Sequence, residues 1–357
     1  LRRLIMAEYI SFQPSDFFTT KLYTGTGAIQ SITGVGFQPD FVWGKQRTDS
    51  GANYFMFDAP RGVTNIIESS SSAATTTDVN SLTAFGADGF TLGTDAQVNE
   101  NLKTMVSWNW KAGTTTGITT DGSTTITPSA YSFDQTRGIS IVKYVGNLTA
   151  GAKLAHGLGT TPSMVMVKMT NAIKDWKVYH KNMDPTSPQD SALTLNTATA
   201  SVNELTYWND TAPDSVNMTL GNSVQVNGSG DDYVAYCFTG KRGYSKFGKY
   251  KGWANSNGPF VNCGFRPAWV MIKGISNAWD WETFDNKRLG YNGAGGNKVL
   301  QVNNTSVEAT EDIDILSNGF KIRDSGNRMN QTTYDYLYAA FAEVPIVSSN
   351  DVPGVAR

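Results

Sequence analysis

The chain has 357 residues, and 29 Lys and Arg against 31 Asp and Glu leave a formal net charge of -2. A nearly neutral chain with scattered basic residues lacks the field that neutralises nucleic-acid phosphates, so we predict neither DNA nor RNA as a partner. No run approaches the roughly 18 apolar residues of a membrane span, which predicts no membrane insertion. A charged fraction of only 17% with 35 glycines is typical of a turn-rich β-protein rather than a helical bundle.

The first 20 residues precede every repeated motif and carry three phenylalanines, Phe12, Phe17 and Phe18. They have no repeat of their own to pack into. Since exposed apolar side chains at a chain terminus usually mark a contact surface, we predict an N-terminal docking arm at residues 1–20. Its phenylalanines are expected to be buried against another chain.

A ten-residue pattern then occurs three times: GFQPDFVWGK (36–45), GTTPSMVMVK (159–168) and GFRPAWVMIK (264–273). Each copy has Gly, then Pro, then a mostly apolar run that ends at Lys. Proline is tolerated before a strand joins its ladder, and an unbroken apolar run favours a strand covered on both faces. We predict strands at 41–45, 164–168 and 269–273, with Lys45, Lys168 and Lys273 marking where each strand reaches the surface.

Three further blocks follow each copy in the same order. An aromatic block contains Asp58 with Arg61 and Asp285 with Arg288, where the second copy has His180. A turn-and-strand block begins at Asp88, Asn222 and Asn318, and a closing strand alternates large apolar residues. We therefore predict an all-β fold of three tandem antiparallel β-sandwich (jelly-roll-like) repeats. The boundaries are 21–113 for repeat 1, 114–137 for a linker or added edge hairpin, 138–242 for repeat 2, 243–346 for repeat 3, and 347–357 for a C-terminal tail.

The repeats predict how the chain assembles. Repeats two and three join almost without a spacer, which favours separate units in a rigid end-to-end row. A row of small units exposes more surface than one globule of equal mass. We therefore expect a homo-oligomer of this chain with rotational symmetry, most often a trimer.

Catalytic chemistry finds little support in the residues. Of the two histidines, His156 precedes a strand in a Gly-rich turn and His180 replaces an aspartate of the sibling repeats. No nucleophile elbow, zinc-protease motif or Cys-x-x-Cys pair occurs. Asp231 with Asp232, and the acidic run at 311–314, leave open a glycosidase pair or, more readily, a calcium loop. We predict no enzyme, no cofactor and no assigned metal.

The two cysteines, Cys237 and Cys263, leave one bridge open but favour two buried, apolar thiols. Among the nine tryptophans, those at aligned positions are predicted to be core residues: Trp43, Trp108, Trp110, Trp176, Trp269 and Trp281. Trp208, Trp253 and Trp279 have no repeat counterpart and lie in polar loops. They are the predicted contacts for a glycan or for a neighbouring subunit.

Several strings, among them GFQPDFVW, FDAPRG, DGFTLG, HGLGTTPSMVMVK, FDNKRLGYN and YAAFAE, resemble the repeated domain of structural proteins from tailed phages, especially marine ones. The resemblance covers residues 21–345. It implies a virion location, as a tail fibre or other virion-surface component with other virion proteins as partners, and it brings no catalytic residues. The alternative hypothesis is a carbohydrate-binding module that attaches to a host surface glycan. A polysaccharide depolymerase is disfavoured, because fibre depolymerases usually show a short-period β-helix repeat that is absent here.

Overall fold

The computed structural model describes residues 12–288, 292, 296–343, 346–347 and 353–354. Within these ranges the fold is all-β, with antiparallel strand pairing throughout its sheets, as predicted. Three short α-helices occur there, each of four residues. No helix of the described part is long and apolar enough to cross a membrane.

The first segment runs to residue 113. Its elements are η1 (Pro14–Asp16), β1 (Phe18–Thr24), β2 (Gln30–Ile32), β3 (Phe41–Gln46), β4 (Phe55–Asp58), β5 (Asn65–Ile66), β6 (Thr76–Thr77), β7 (Leu82–Gly86), β8 (Gly89–Leu92), α1 (Ala96–Asn99) and β9 (Thr104–Trp110). Asp95 caps α1, because its side chain accepts a hydrogen bond from the Gln97 amide.

The second segment runs from residue 114 to residue 242. Its elements are β10 (Ala130–Asp134), β11 (Ile139–Val145), β12 (Ala152–Ala155), β13 (Met164–Met169), β14 (Lys177–His180), η2 (Pro188–Asp190), β15 (Ser191–Thr194), β16 (Val202–Asn203), α2 (Leu205–Trp208), β17 (Asn217–Leu220) and β18 (Asp232–Phe238). Strand β10 lies at the edge of the large sheet, beside β11, so the region predicted as a linker contributes a strand.

The third segment begins at residue 243. Its elements are β19 (Ser245–Lys251), β20 (Phe260–Asn262), β21 (Pro267–Gly274), β22 (Glu282–Asp285), β23 (Asn297–Gln301), β24 (Ala309–Glu311), β25 (Ile313–Leu316), β26 (Gly319–Ile322), α3 (Asn327–Asn330), β27 (Asp335–Ala342), β28 (Ile346–Val347) and β29 (Pro353–Gly354).

Each segment contributes one large and one small sheet, and two further two-stranded sheets, β5-β6 and β28-β29, lie in the first and third segments. The large sheets have the orders β1-β9-β3-β4, β10-β11-β18-β13-β14-β15-β16 and β19-β27-β21-β22-β23-β24. The small sheets are β2-β8-β7, β12-β17 and β20-β26-β25. In every large sheet the opening strand lies beside the closing strand, and the strand of the ten-residue pattern follows it.

Two kinds of core cover the two faces of each large sheet. One face shares a core with the small sheet of its own segment: Val42 lies in the same core as Phe90, Val165 in the same core as Leu220, and Val270 in the same core as Phe320. The other face packs against the large sheets of the other two segments, in a single central core. The runs of β3, β13 and β21 are fully buried for this reason, as the unbroken apolar pattern predicted.

The central core contradicts the expectation of separate units placed end to end. The closing strands carry Trp110, Phe238 and Phe341 at or next to their last residues, and the rings of these three all contact one another. Their centroids lie 6.4 Å apart for Trp110 and Phe238, 5.5 Å for Trp110 and Phe341, and 5.9 Å for Phe238 and Phe341. The three large sheets therefore meet face to face, because their inward faces are too apolar to be left in water.

The N-terminal phenylalanines also pack within the chain, contrary to the predicted docking arm. Phe18 is 2% exposed and stacks on Phe341, with the ring centroids 5.3 Å apart. Phe12 and Phe17 are partly buried against Tyr244 and under the Arg137 guanidinium. From residue 12 onward this segment is thus bound to the other two segments of its own chain, whereas residues 1–11 lie outside the described part.

The turn-and-strand block of the second segment was predicted in the wrong place. The strand lies at β17, Asn217–Leu220, which pairs with β12, whereas residues 224–226 form a turn. The tripeptide Thr-Leu-Gly at 91–93 and again at 219–221 is the sequence signal for this alignment. The alternating residues after Asn222 imitated a strand, because alternation over five residues is a weak signal.

Gly319 opens β26 at a point of close backbone approach. A Cβ built there would lie 2.0 Å from the Val261 carbonyl oxygen of the paired strand. We expect Gly319→Val to lower the free energy of unfolding by about 1 to 3 kcal/mol, since the neighbouring strand must move. Gly122→Val is the control, because a Cβ at Gly122 meets no atom within 4 Å. Equal free energies of unfolding for the two variants, measured by urea denaturation, would contradict the close approach of the two strands.

Both cysteines are free and buried, Cys237 in the sandwich core of the second segment and Cys263 in that of the third. Burial raises the pKa of each thiol to about 12. The structure therefore supports the interpretation of two apolar thiols over that of a bridge.

Candidate functional site

The three lysines that end the ten-residue patterns are buried, which contradicts the prediction that they reach the surface. Each ammonium is held by backbone carbonyls instead. Lys168 Nζ donates to Met169 O at 2.8 Å, and Lys273 Nζ donates to Trp279 O at 2.5 Å; Lys45 Nζ donates to Ala52 O. A buried charge is tolerated only when it is hydrogen-bonded. Burial nevertheless lowers the pKa of all three to about 8.

Each lysine also binds a carbonyl of another segment. Lys168 of the second segment donates to Ser72 O of the first at 3.2 Å. Lys273 of the third donates to Ala198 O of the second at 2.9 Å, and Lys45 of the first donates to Thr305 O of the third at 3.5 Å. The contacts run around the molecule in one direction and close on themselves.

Backbone hydrogen bonds follow the same circuit beside the lysines. Thr75 N donates to Thr170 O, Ser201 N to Ile275 O, and Glu308 N to Arg47 O, at 2.8, 2.8 and 3.0 Å. Each acceptor lies two residues after its lysine. The repeated pattern aligns the three lysines but does not predict these bonds, because a backbone-to-backbone contact does not require a particular residue type.

The Asp-x-x-Arg pairs are loop contacts, and they also join neighbouring sheets. Asp58 Oδ2 accepts from Arg61 Nε at 2.6 Å and from the Tyr236 hydroxyl of the second segment at 2.6 Å. Asp285 Oδ2 accepts from Arg288 Nε at 2.6 Å and from Trp108 Nε1 of the first segment at 3.0 Å. All of these side chains are buried.

The corresponding place in the second segment has different chemistry. His180 and Met183 stand where the siblings have Asp and Arg, and the facing closing strand has Ala339 where the others have Trp108 and Tyr236. His180 Nδ1 accepts from the Asn182 amide at 3.1 Å, which leaves the ring proton on Nε2, near the Tyr338 backbone. Since Ala339 offers no hydrogen-bond donor from its side chain, a carboxylate at position 180 would have no partner there of the kind that Tyr236 and Trp108 provide to Asp58 and Asp285.

Burial of His180 predicts that the free energy of unfolding falls in acid. Burial lowers its pKa from 6.5 to about 3, so the folded chain excludes a proton that the unfolded chain binds. The stability that this neutral histidine contributes is present above pH 6.5 and is lost as the pH falls toward 3. We expect the free energy of unfolding to fall by about 3 kcal/mol more in the wild type than in His180→Gln between pH 7 and pH 4, measured by denaturant titration. Parallel pH profiles would contradict a buried neutral histidine.

Three buried asparagines were missed from the sequence. Asn99, Asn227 and Asn330 each accept from a turn amide after the opening strand, at 2.9, 2.9 and 2.7 Å. Each also donates its Nδ2 to two backbone carbonyls, so every polar atom of the amide is used. The shared strings QVNE, QVNG and RMNQ carried the signal, but asparagine in a polar loop looks like an ordinary turn residue.

The predicted tryptophan contacts divide three ways. Trp208 is fully buried, since α2 packs on the sandwich core and Nε1 donates to Ser191 O at 3.2 Å, so its prediction as a surface contact is wrong. Trp253 is 66% exposed and Trp279 is partly exposed. The six aligned tryptophans are all core residues, as predicted.

An open cleft of about 360 Å³ lies in the first segment, between the loop after β3 and helix α1. Its lining residues are Gln46, Asp49, Ser50, Gly51, Ala52, Asn53, Ala96, Gln97 and Glu100. Most of the side chains are polar, and Gly51 and the alanines leave space between them. None of the three candidate tryptophans lines this cleft.

The acidic residues proposed for calcium or glycosidase chemistry are not brought into a cluster with other ligands. In the described ranges no group of three or more His, Cys, Asp and Glu side chains is arranged to hold a metal ion. Asp231 accepts from Asn171 at 3.2 Å, and Glu311 lies 3.3 Å from Arg328. These carboxylates have local structural partners.

In a comparison with known families, the model of a domain of unknown function, DUF7483, aligns with residues 13–345. No curated protein and no solved structure matches the chain.

Proposed function

The chain belongs to the DUF7483 family, and we propose that it is a structural protein of a phage virion, built from three copies of one β-sandwich unit that close around a shared core. The phage assignment rests on the sequence resemblance. The tandem-repeat assignment rests on the aligned motifs together with the common strand order of the three large sheets.

The observation that carries the structural role is the closed circuit of buried contacts between segments. Three lysines, each with a pKa lowered to about 8, are kept inside the molecule to hold loops of a neighbouring segment. In this proposal the buried charges specify one arrangement of the segments, at a cost in desolvation. A rigid block with fixed loop positions suits a component that must transmit load or present a surface in a particle.

The closed arrangement of the three segments changes the assembly that we propose. In this proposal the three segments that meet at the Trp110, Phe238 and Phe341 rings take the place of the three subunits of the trimer expected from the sequence. A single copy can therefore occupy a place that a homotrimer would otherwise fill, on a partner of threefold symmetry. Other virion proteins remain the proposed partners.

Mass spectrometry of purified particles of the encoding phage tests the virion role. We expect the chain at a constant copy number relative to the major capsid protein, retained after the particles are washed at high salt. Its presence in the lysate and absence from particles would refute the proposal.

A second candidate function is attachment to a host glycan. Trp253, with two thirds of its surface exposed, favours it, because a flat aromatic face in a polar loop can stack on a sugar ring. Binding to a glycan array, lost in Trp253→Ala, would identify this tryptophan as a contact.

A further inference from the structure

The cleft of the first segment has a glycine at a position where the other two segments have larger side chains. The residue six positions after the lysine that ends the ten-residue pattern is Gly51 in the first segment, Lys174 in the second and Trp279 in the third. In the third segment the Trp279 ring lies 3.4 Å from the Cβ position of Gly274, the residue that corresponds to Gln46 of the cleft. The first segment thus has glycine where the third has an indole packed beside the residue that corresponds to Gln46.

The loop that forms one wall of the cleft is held in place from below. Lys45 binds the Ala52 carbonyl, and the Gly51 amide donates to Thr305 O of the third segment at 3.0 Å. Arg47 makes two hydrogen bonds to the Glu308 carboxylate, at 2.7 and 2.9 Å. A wall fixed in this way needs little ordering when a ligand binds.

The lining favours a neutral, polyhydroxylated ligand. Gln46 Nε2 donates to Glu100 Oε2 at 2.5 Å, and Lys103 Nζ lies 2.5 Å from Asp49 Oδ2 at the rim, so each carboxylate has one oxygen in use. The remaining carboxylate oxygens can accept hydrogen bonds from hydroxyl groups of a ligand, and the Asn53 side-chain amide can donate to them. Two carboxylates against one lysine disfavour phosphate or sulfate, and the absence of a wide apolar wall disfavours a hydrophobic ligand.

We propose that this cleft is a binding site for one neutral sugar residue of a glycan. The proposal rests on the second candidate function and places its contact in the first segment rather than at Trp253. The volume of about 360 Å³ lies at the small end of ligand pockets, which suits a single sugar ring. The small residues at 51 and 52 let the ring approach the backbone.

Saturation-transfer NMR on the full chain tests the site, with glucose, galactose, mannose and N-acetylglucosamine as probes at millimolar concentration. We expect transfer to at least one of them in the wild type and at least a tenfold weaker affinity in Gly51→Trp, which fills the cleft. Gly230→Trp is the matched control and should bind as the wild type does. Both glycines have a positive φ, +89° and +77°, and a Cβ at either meets no atom within 4 Å, so the two variants carry the same backbone strain.

Three outcomes would overturn the site. They are the absence of saturation transfer to any of the four sugars, equal sugar affinity in Gly51→Trp and the wild type, and backbone amide chemical shifts at the cleft that change when Ca²⁺ is added but not when any of the sugars is added. Sugar binding that is lost in Trp253→Ala and kept in Gly51→Trp would leave the glycan function standing and refute this cleft. The particle assay for the virion role is independent of each of these results.

Discussion

Replacing Asp58 with alanine is expected to lower the free energy of unfolding by about 3 to 5 kcal/mol, because it leaves the buried Arg61 guanidinium without its counter-charge. Arg61 is 3% exposed at the side chain and has its Nε 2.6 Å from Asp58 Oδ2. The change also removes the acceptor of the Tyr236 hydroxyl, a contact between two segments. Urea denaturation followed by tryptophan fluorescence measures the loss.

Asp134→Ala is the matched control for this prediction. Asp134 and Arg137 have the same three-residue spacing, and Asp134 likewise accepts from the Arg137 amide, but their side chains are 13% and 23% exposed. Water screens and replaces that pair, so its loss should cost no more than about 1 kcal/mol. Similar losses in the two variants would mean that the inter-segment contact contributes little.

Trp110→Ala is expected to cost about 3 to 5 kcal/mol, because the cavity opens where the three large sheets meet. Its ring contacts Phe238 of the second segment and Phe341 and Trp269 of the third. Hydrogen exchange should therefore speed up in β9, β18 and β27 together. Acceleration confined to the first segment would show that the segments behave as separate units.

Trp253→Ala provides the comparison, since it removes the same side chain from an exposed loop. With 66% of its surface in water, this tryptophan has little packing to lose, and we expect a change within about 0.5 kcal/mol. Unfolding of wild-type chain in one transition, with Trp110→Ala shifted and Trp253→Ala unshifted, is the result that a shared central core predicts.

The sequence by itself predicted the all-β class, the three strands of the ten-residue pattern and the six core tryptophans. These follow from residue type and period, because a strand buried on both faces must be apolar at every position. The Asp-x-x-Arg pairs were also visible, since both partners lie within one loop. Motifs shared between segments, such as Thr-Leu-Gly and Gln-Val-Asn, could have corrected the misplaced strand of the second segment.

Only the tertiary structure decided how the segments meet. A lysine after an apolar run looks the same whether it reaches water or a cage of backbone carbonyls, and Lys45, Lys168 and Lys273 are in cages formed partly by another segment. From the sequence Phe18 was predicted to anchor the chain to a partner, whereas in the structure it is buried between the large sheets. Burial of a side chain depends on which surfaces converge in space, and contacts between residues more than 200 positions apart, such as Lys45 with Thr305, leave no periodic trace in the sequence.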